Sequence, residues 1–310
     1  MTYDIIIIGA GPAGLTAAIY AGRARMKTAV VSDMIPGGQA MLTDEIENYP
    51  GFSDAVKGPD LMNSMFEQAK KAGSDFKKVR AEGIAVSDGV FTVRTASGNI
   101  EGMSLIIATG ASYETLGVKG EKEFTGRGVS YCGVCDAPLF RNKEIAVVGG
   151  GDTAVYEACH LLKFCGRLHM IHRRDRLRAT KIMQDALLNN PKTVMHWNSV
   201  LKEIRGDKLV KGIQISNVKT GIDEEIPLNG VFVFVGVKPE SGVVGSAANL
   251  SEKGYIITNE SMETSVNGIF ACGDVRKKML RQISTAVGEG AQAAFAAQLY
   301  VEGKKGTAYV

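Results

Sequence analysis

Tyr3-Asp4-Ile5-Ile6-Ile7-Ile8-Gly9-Ala10-Gly11-Pro12-Ala13-Gly14 stands near the start of the sequence and decides the fold. The isoleucine run shows no polar alternation, which predicts a parallel strand buried on both faces. Gly9-x-Gly11-x-x-Gly14 then predicts a tight turn into a helix over residues 15–24, followed by a β-branched strand over 28–32. In such a turn the first glycine allows the sharp bend and the second lets a pyrophosphate approach the backbone. The third lets the helix pack close to the strand, and the helix amides bind the anion. Pro12 and Ala13 lie inside the motif. An acid about 20 residues on customarily meets the ribose, and Ser32 and Asp33 both stand there.

The pattern recurs. Ile145-Ala146-Val147-Val148 leads into Gly149-x-Gly151-x-x-Ala154, with Asp152 and Thr153 inside the turn and a helix expected to about residue 165. The strand after it, residues 168–171, runs into His172-Arg173-Arg174-Asp175-Arg176-Leu177-Arg178 instead of an acid. Guanidinium groups at that place suit a ribose 2′-phosphate, which arginine's planar fork grips with paired hydrogen bonds. NADP is therefore the expected ligand of the second turn. Two such modules in one chain predict an α/β protein.

Composition narrows the rest. The 310 residues are 45% hydrophobic and carry 36 Lys and Arg against 33 Asp and Glu, a formal charge of +3 that excludes the basic excess of a nucleic-acid binder. Residues 5–22 lack charge, but Gly9, Gly11, Pro12 and Gly14 interrupt them and Asp4 precedes them, so neither a membrane span nor a signal peptide is expected. Residues 33–53 contain Pro36-Gly37-Gly38-Gln39 and Asn48-Tyr49-Pro50-Gly51 and are expected to form a long ordered loop.

Five scattered cysteines argue against a secreted disulfide scaffold and for a reducing compartment. Cys132-Gly133-Val134-Cys135 is the one pair at redox spacing, and Asp136 follows it. A structural zinc needs two more ligands, and no second pair supplies them, so no metal is expected. Beside two nucleotide turns the dithiol suggests a path for two electrons and a proton. Asp136 reads either as the general acid or base of that chemistry or as a turn-capping acid. Cys159, Cys165 and Cys272 read as buried thiols without a role.

Taken in order along the chain, these motifs resemble the low-molecular-weight, bacterial-type thioredoxin reductases. Ala108-Thr109-Gly110, Gly273-Asp274 and Arg281-Gln282-Ile283 add to the likeness, which covers essentially the whole sequence. The resemblance implies two Rossmann-like, three-layer β/β/α domains, an NADPH domain at 114–244 inserted into an FAD domain formed by 1–113 and 245–310. It implies hinges near 113–116 and 242–246, about which the inserted domain rotates. Around FAD it places Gly9, Gly11, Pro12, Ala13, Gly14, Ser32, Asp33, Gly37, Gly38, Gln39 and Asn48. Thr109, Gly110, Gly273, Asp274, Arg281, Gln282 and Ile283 join them there. Around NADPH it places Gly149, Gly151, Asp152, Thr153, Ala154, His172, Arg173, Arg174 and Arg178.

It further implies that Cys135 faces the flavin, Cys132 attacks the thioredoxin disulfide and Asp136 serves as acid, in a cytoplasmic homodimer. Two positions depart from the family pattern: Ala137 stands where glycine is frequent, and Ser32 where many members have glutamate. Rival readings on the same scaffold fit less well. A ferredoxin-dependent reductase has no use for Arg173, Arg174 and Arg178, and a nucleotide sensor has none for the dithiol.

Overall fold

The computed structural model describes residues 2–43, 46, 48–87 and 89–308. The chain forms two compact units, Met1–Ser112 with Lys238–Val310, and Tyr113–Val237. The return crossing comes earlier than the expected 244/245. Val244 is already buried in the core of the first unit with Ala248 and Ile256, which draws the preceding residues into that unit.

Along the chain, β1 (Tyr3–Ile8), α1 (Pro12–Arg23), β2 (Thr28–Val31), α2 (Gly58–Lys71) and β3 (Asp75–Lys77) come first. Then follow β4 (Ala81–Ser87), β5 (Val90–Thr95), β6 (Gly98–Ile107) and β7 (Ala111–Tyr113). The second unit contains β8 (Val129–Ser130), α3 (Gly133–Asp136), β9 (Glu144–Gly149), α4 (Asp152–Leu161), β10 (Arg167–His172) and α5 (Lys181–Leu188). It continues through β11 (Thr193–Trp197), β12 (Ser199–Gly206), β13 (Val210–Asn217), β14 (Asp223–Pro227) and β15 (Gly230–Phe234). The chain returns through β16 (Val237–Pro239) and β17 (Ile269–Ala271) to α6 (Ile283–Lys305).

In the first unit β3, β2, β1, β6 and β17 pair in parallel, while β4 and β5 extend the sheet antiparallel from the first half of β6. The uninterrupted isoleucines of β1 are explained by burial on two sides. Ile5 and Ile7 join Leu15, Met62 and Phe270 in the helix-side core. Ile6 and Ile8 join Phe91, Val93 and Ile256 on the opposite face. Full burial of each such side chain contributes about 1.5–3 kcal/mol.

The second unit repeats the plan with a parallel sheet in the order β11-β10-β9-β15-β8. Ile145, Val147, Leu168 and Phe232 face α4 and its neighbours, and Ala146, Val148, Ile171 and Val231 face the antiparallel β12-β13-β14 meander. Both units are therefore α/β, the first around one mixed seven-stranded sheet and the second with a parallel sheet between helices and a second β layer. Among the described residues no helix is long and apolar enough to cross a membrane, and the uncharged run 5–22 divides into β1 and α1.

The helix expected to reach 165 stops at Leu161, after which a turn buries Cys165. The last helix runs to Lys305 and ends at Gly306, whose φ of 67° is the left-handed form that glycine adopts freely.

Between the parallel sheet and the meander of the second unit, His169 Nδ1 and His196 Nε2 lie 3.0 Å apart. Glu144 stands 3.6 Å from His169, and Glu224 stands 3.6 Å from His196. Burial lowers both imidazole pKa values; the carboxylates oppose the shift, while Arg167 reinforces it at His169. The unfolded chain thus takes up protons first. Stability contributed by the neutral pair is complete above the ordinary histidine value of 6.5 and declines as the pH falls through the lower folded values. Urea midpoints measured at decreasing pH should fall more steeply for the native chain than for His196→Gln.

Candidate active site

The first glycine turn is built by exclusion. A Cβ on Gly9, whose φ is 108°, would lie 2.3 Å from the Ala108 carbonyl oxygen, and one on Gly14 would lie 2.0 Å from that of Gly9. Gly11 differs, because nothing lies within 4 Å of the place its Cβ would take. Space is thus kept open where amides of the α1 N-terminus face outward, with Gly11 at the N-cap and no side chain capping it. That is the geometry a pyrophosphate requires. Gly14→Ala should lower the melting temperature, since such overpacking costs about 1–3 kcal/mol.

The expected loop reaches the same turn. Gly37 donates its N–H to the Ala10 carbonyl at 2.7 Å, and the Cβ position of Gly38 is 3.3 Å from the Gly11 Cα. The loop contains a 3₁₀ turn at Gly38–Leu42, and residues 44, 45 and 47 of it lie outside the described residues. Gln39 Nε2 donates to the Ala111 carbonyl. Asn48 Nδ2 donates to Gln282 Oε1 at 3.1 Å, and Gln282 caps α6 immediately before Ile283. Ser32 Oγ accepts from the Met34 amide at 3.3 Å, which occupies the hydroxyl in a local turn, while Asp33 is exposed.

Thr109 Oγ1 donates to the Glu240 carbonyl at 2.6 Å, and Gly110 lies beside it with φ 74°. Gly273 packs against Ala13 of the glycine turn, leaving a Cβ only 2.8 Å from the Ala13 methyl. Asp274 Oδ1 is buried without a hydrogen bond, as is Arg281 Nε, although Lys278 Nζ lies 3.1 Å from that carboxylate oxygen. Arg281 stacks its guanidinium 4.2 Å above the Tyr255 ring. Buried polar atoms left in this condition next to an open glycine turn fit a polar ligand such as a dinucleotide.

In the second unit a Cβ on Gly149 would lie 2.5 Å from the Ala154 methyl, whereas the Gly151 position is open except for Arg178 Nη2 at 3.9 Å. Asp152 accepts from the Thr180 amide at 3.1 Å, and Thr153 is exposed. Arg173, Arg174 and Arg178 are exposed and make no ion pair among the described residues. His172 has a different place from the arginines. It is 6% exposed, with Nδ1 2.7 Å from the Gly149 carbonyl and Nε2 2.9 Å from that of Arg176. It ties the turn to the arginine loop.

Cys132 and Cys135 form a disulfide across α3, and Cys135 N–H points to Cys132 Sγ at 3.2 Å. Ser130 Oγ, at the end of β8, accepts from the Cys132 amide at 3.1 Å. Asp136 is half-buried at the end of α3, and its side chain does not cap the 3₁₀ turn that follows. Ala137 is fully buried in the helix-side core, so its methyl is used in packing. Among the described residues no group of three or more His, Cys, Asp or Glu could hold a metal ion.

Known proteins resemble this chain along nearly its whole length. Residues 3–290 match the family model of the pyridine nucleotide-disulphide oxidoreductases. A thioredoxin reductase of Bacillus subtilis is 46% identical over 97% of this chain and 95% of its own, and one of Treponema pallidum is 45% identical over 97% of each. The crystal structure of thioredoxin reductase from Streptococcus pyogenes superimposes with a TM-score of 0.94 at 46% identity, covering 97% of this chain and 99% of that one. The chain belongs to the bacterial-type thioredoxin reductase family.

Membership accounts for the turns, the loop and the dithiol, but the family motifs leave several buried charges unread. Glu289 of α6 accepts from the Gly273 amide at 2.8 Å and pairs with Arg276 at 2.8 Å and Lys278 at 3.4 Å. It thereby fixes the segment that carries Asp274. Glu121, 3% exposed, accepts from the amides of Leu116 and Gly117 and from the Tyr131 hydroxyl. Burial first, and this carboxylate second, push the Tyr131 phenol up to about 12. Each acid's partners lie on other turns or elements, and no motif of adjacent residues signals them.

Proposed function

We propose that this chain reduces the disulfide of thioredoxin with electrons from NADPH, passed through FAD and the Cys132–Cys135 pair. The observation that carries the reading is the combination in one chain of a disulfide-bonded C-x-x-C, an open glycine turn in each unit and three exposed arginines, without an ion pair among the described residues, beside the second turn. When bound, the flavin accepts a hydride equivalent from NADPH and makes two electrons available to a disulfide.

The chain's residues then act as follows. Gly9, Gly11 and Gly14 with the α1 amides hold the flavin dinucleotide's pyrophosphate, and Asp274 and Arg281 offer their unsatisfied atoms to its polar groups. Gly149, Gly151 and Ala154 hold the NADPH pyrophosphate, with Arg173, Arg174 and Arg178 on the 2′-phosphate. Cys135 takes the electrons first. Cys132 thiolate attacks the thioredoxin disulfide, and Cys135 then displaces the reduced thioredoxin and re-forms the Cys132–Cys135 bond. Asp136 moves the proton that the departing thiolate needs.

Anaerobic purified protein should be yellow and lose its flavin colour with NADPH far faster than with NADH. NADPH oxidation should depend on added thioredoxin disulfide. Reduced ferredoxin in place of NADPH is the decisive comparison, because efficient turnover with it alone would favour the ferredoxin-dependent rival. The same reading extends to a cytoplasmic homodimer, which sedimentation and cell fractionation test.

A further inference from the structure

Glu157 projects from α4 toward the dithiol turn. Its Oε2 occupies the space beside Gly133, where a Cβ would come within 2.3 Å. Only glycine between the two cysteines admits the carboxyl so closely. The oxygen is buried and makes no hydrogen bond of good geometry among the described residues. Burial pushes the Glu157 carboxyl above its ordinary value, and the amides of Val134 and Gly133 facing it offset only part of that shift. Its neighbours on α4, Ala154 and Ala158, are buried in the apolar core, so this is a charge on the inner face of the helix.

The titratable groups around it are few. Cys132, Cys135 and Asp136 lie on the turn it touches. Elements packed against α4 also carry Lys181 and Asp185 on α5, Glu144 on β9, and Arg167, His169 and His172 on β10. None of these governs Glu157, whose charge is set by burial and by the two amides.

We infer that Glu157 takes up a second proton when the Cys132–Cys135 bond is reduced. This rests on the redox role proposed above for that pair. Reduction breaks the Sγ–Sγ bond and places an electron pair, supplied by the reduced flavin, on the two sulfurs. One sulfur leaves as a thiol and the other as a thiolate. The new negative charge on the turn that Glu157 touches at Gly133 raises its proton affinity, and the carboxyl takes a second proton from solvent.

The test is the disulfide–dithiol equilibrium of the anaerobic holoenzyme in dithiothreitol buffers from about pH 5 to about pH 8. The state of the Cys132–Cys135 peptide is scored by differential alkylation and mass spectrometry. Native protein and Glu157→Gln are compared in the same buffers, so the reference couple cancels. Above the carboxyl's ordinary 4.5, the window is bounded by its values in the oxidised and the reduced protein. Within that window the native equilibrium should favour the dithiol tenfold more per unit fall in pH than the variant does, about 30 mV for a two-electron couple.

Gly133→Ala, which displaces the carboxyl without removing it, should move the window in pH while keeping its slope. A ratio constant across the pH range, offset or not, overturns the inference, because a purely structural glutamate would give that result. If Glu157→Gln does not retain flavin, an unmoved window in Gly133→Ala overturns it equally. A peptide that never converts between disulfide and dithiol refutes instead the redox role of the pair.

Discussion

Cys135→Ser should still let NADPH bleach the flavin at a rate within about twofold of the native chain, while thioredoxin-dependent turnover falls by on the order of 10³ or more. The asymmetry follows from where the residue stands. The glycine turns and the arginine cluster do not involve Cys135, so nucleotide binding is untouched. Re-forming the Cys132–Cys135 bond, however, requires a second sulfur, and a serine hydroxyl cannot supply one. No other thiol can take over. Cys165 and Cys272 are buried, Cys159 is half-buried, and burial raises the pKa of all three, that of Cys272 to about 12. The thiolate needed for exchange is therefore scarce at each. Stopped-flow absorbance of the flavin and steady-state NADPH oxidation separate the two half-reactions. Retained turnover would remove Cys135 from the pathway.

Replacing Arg173 and Arg174 together by alanine should raise the KM for NADPH by on the order of 10²-fold, with kcat and the KM for NADH nearly unchanged. A charge-assisted hydrogen bond contributes about 1.5–3 kcal/mol, and two lost contacts to one phosphate account for that effect without strict additivity. His172 keeps the loop in place because both its ring nitrogens meet backbone carbonyls, so the variant removes charge and leaves the turn intact. Kinetics with both nucleotides decide the matter, and an undiminished preference for NADPH would displace the 2′-phosphate from these residues. The native preference should also weaken with added salt, as exposed charges are screened.

Particular residues show how much could be read beforehand. The isoleucines of β1 and the turn from Gly9 to Gly14 announce a buried strand and a tight strand-to-helix bend, because local sterics alone dictate both. The arginines after β10 were legible for the same reason: their place follows from counting along one βαβ unit. His172 stands with them by adjacency, but the strand ends by turning its ring inward, and strand direction cannot be counted. Ser32 is a candidate ribose contact by position, and the structure shows its hydroxyl engaged with the Met34 backbone. Glu289, Glu121 and Glu157 could not be placed, since each acquires its meaning from partners on other turns or elements. Glu157 alone left a trace, as a charge at helical spacing between Ala154 and Leu161 on a face otherwise apolar.

Gly11 and Gly14, three positions apart on one turn, divide two requirements that usually travel together. At Gly14 a methyl meets backbone, so the scaffold itself vetoes change; at Gly11 it meets nothing. A side chain grafted onto Gly11 would act, on the function proposed above, as a tethered plug in the ligand's seat of a protein that folds as before. The turn thus offers a switch for manufacturing a stable, colourless chain, and hence a blank against which every optical signal of the loaded protein can be read.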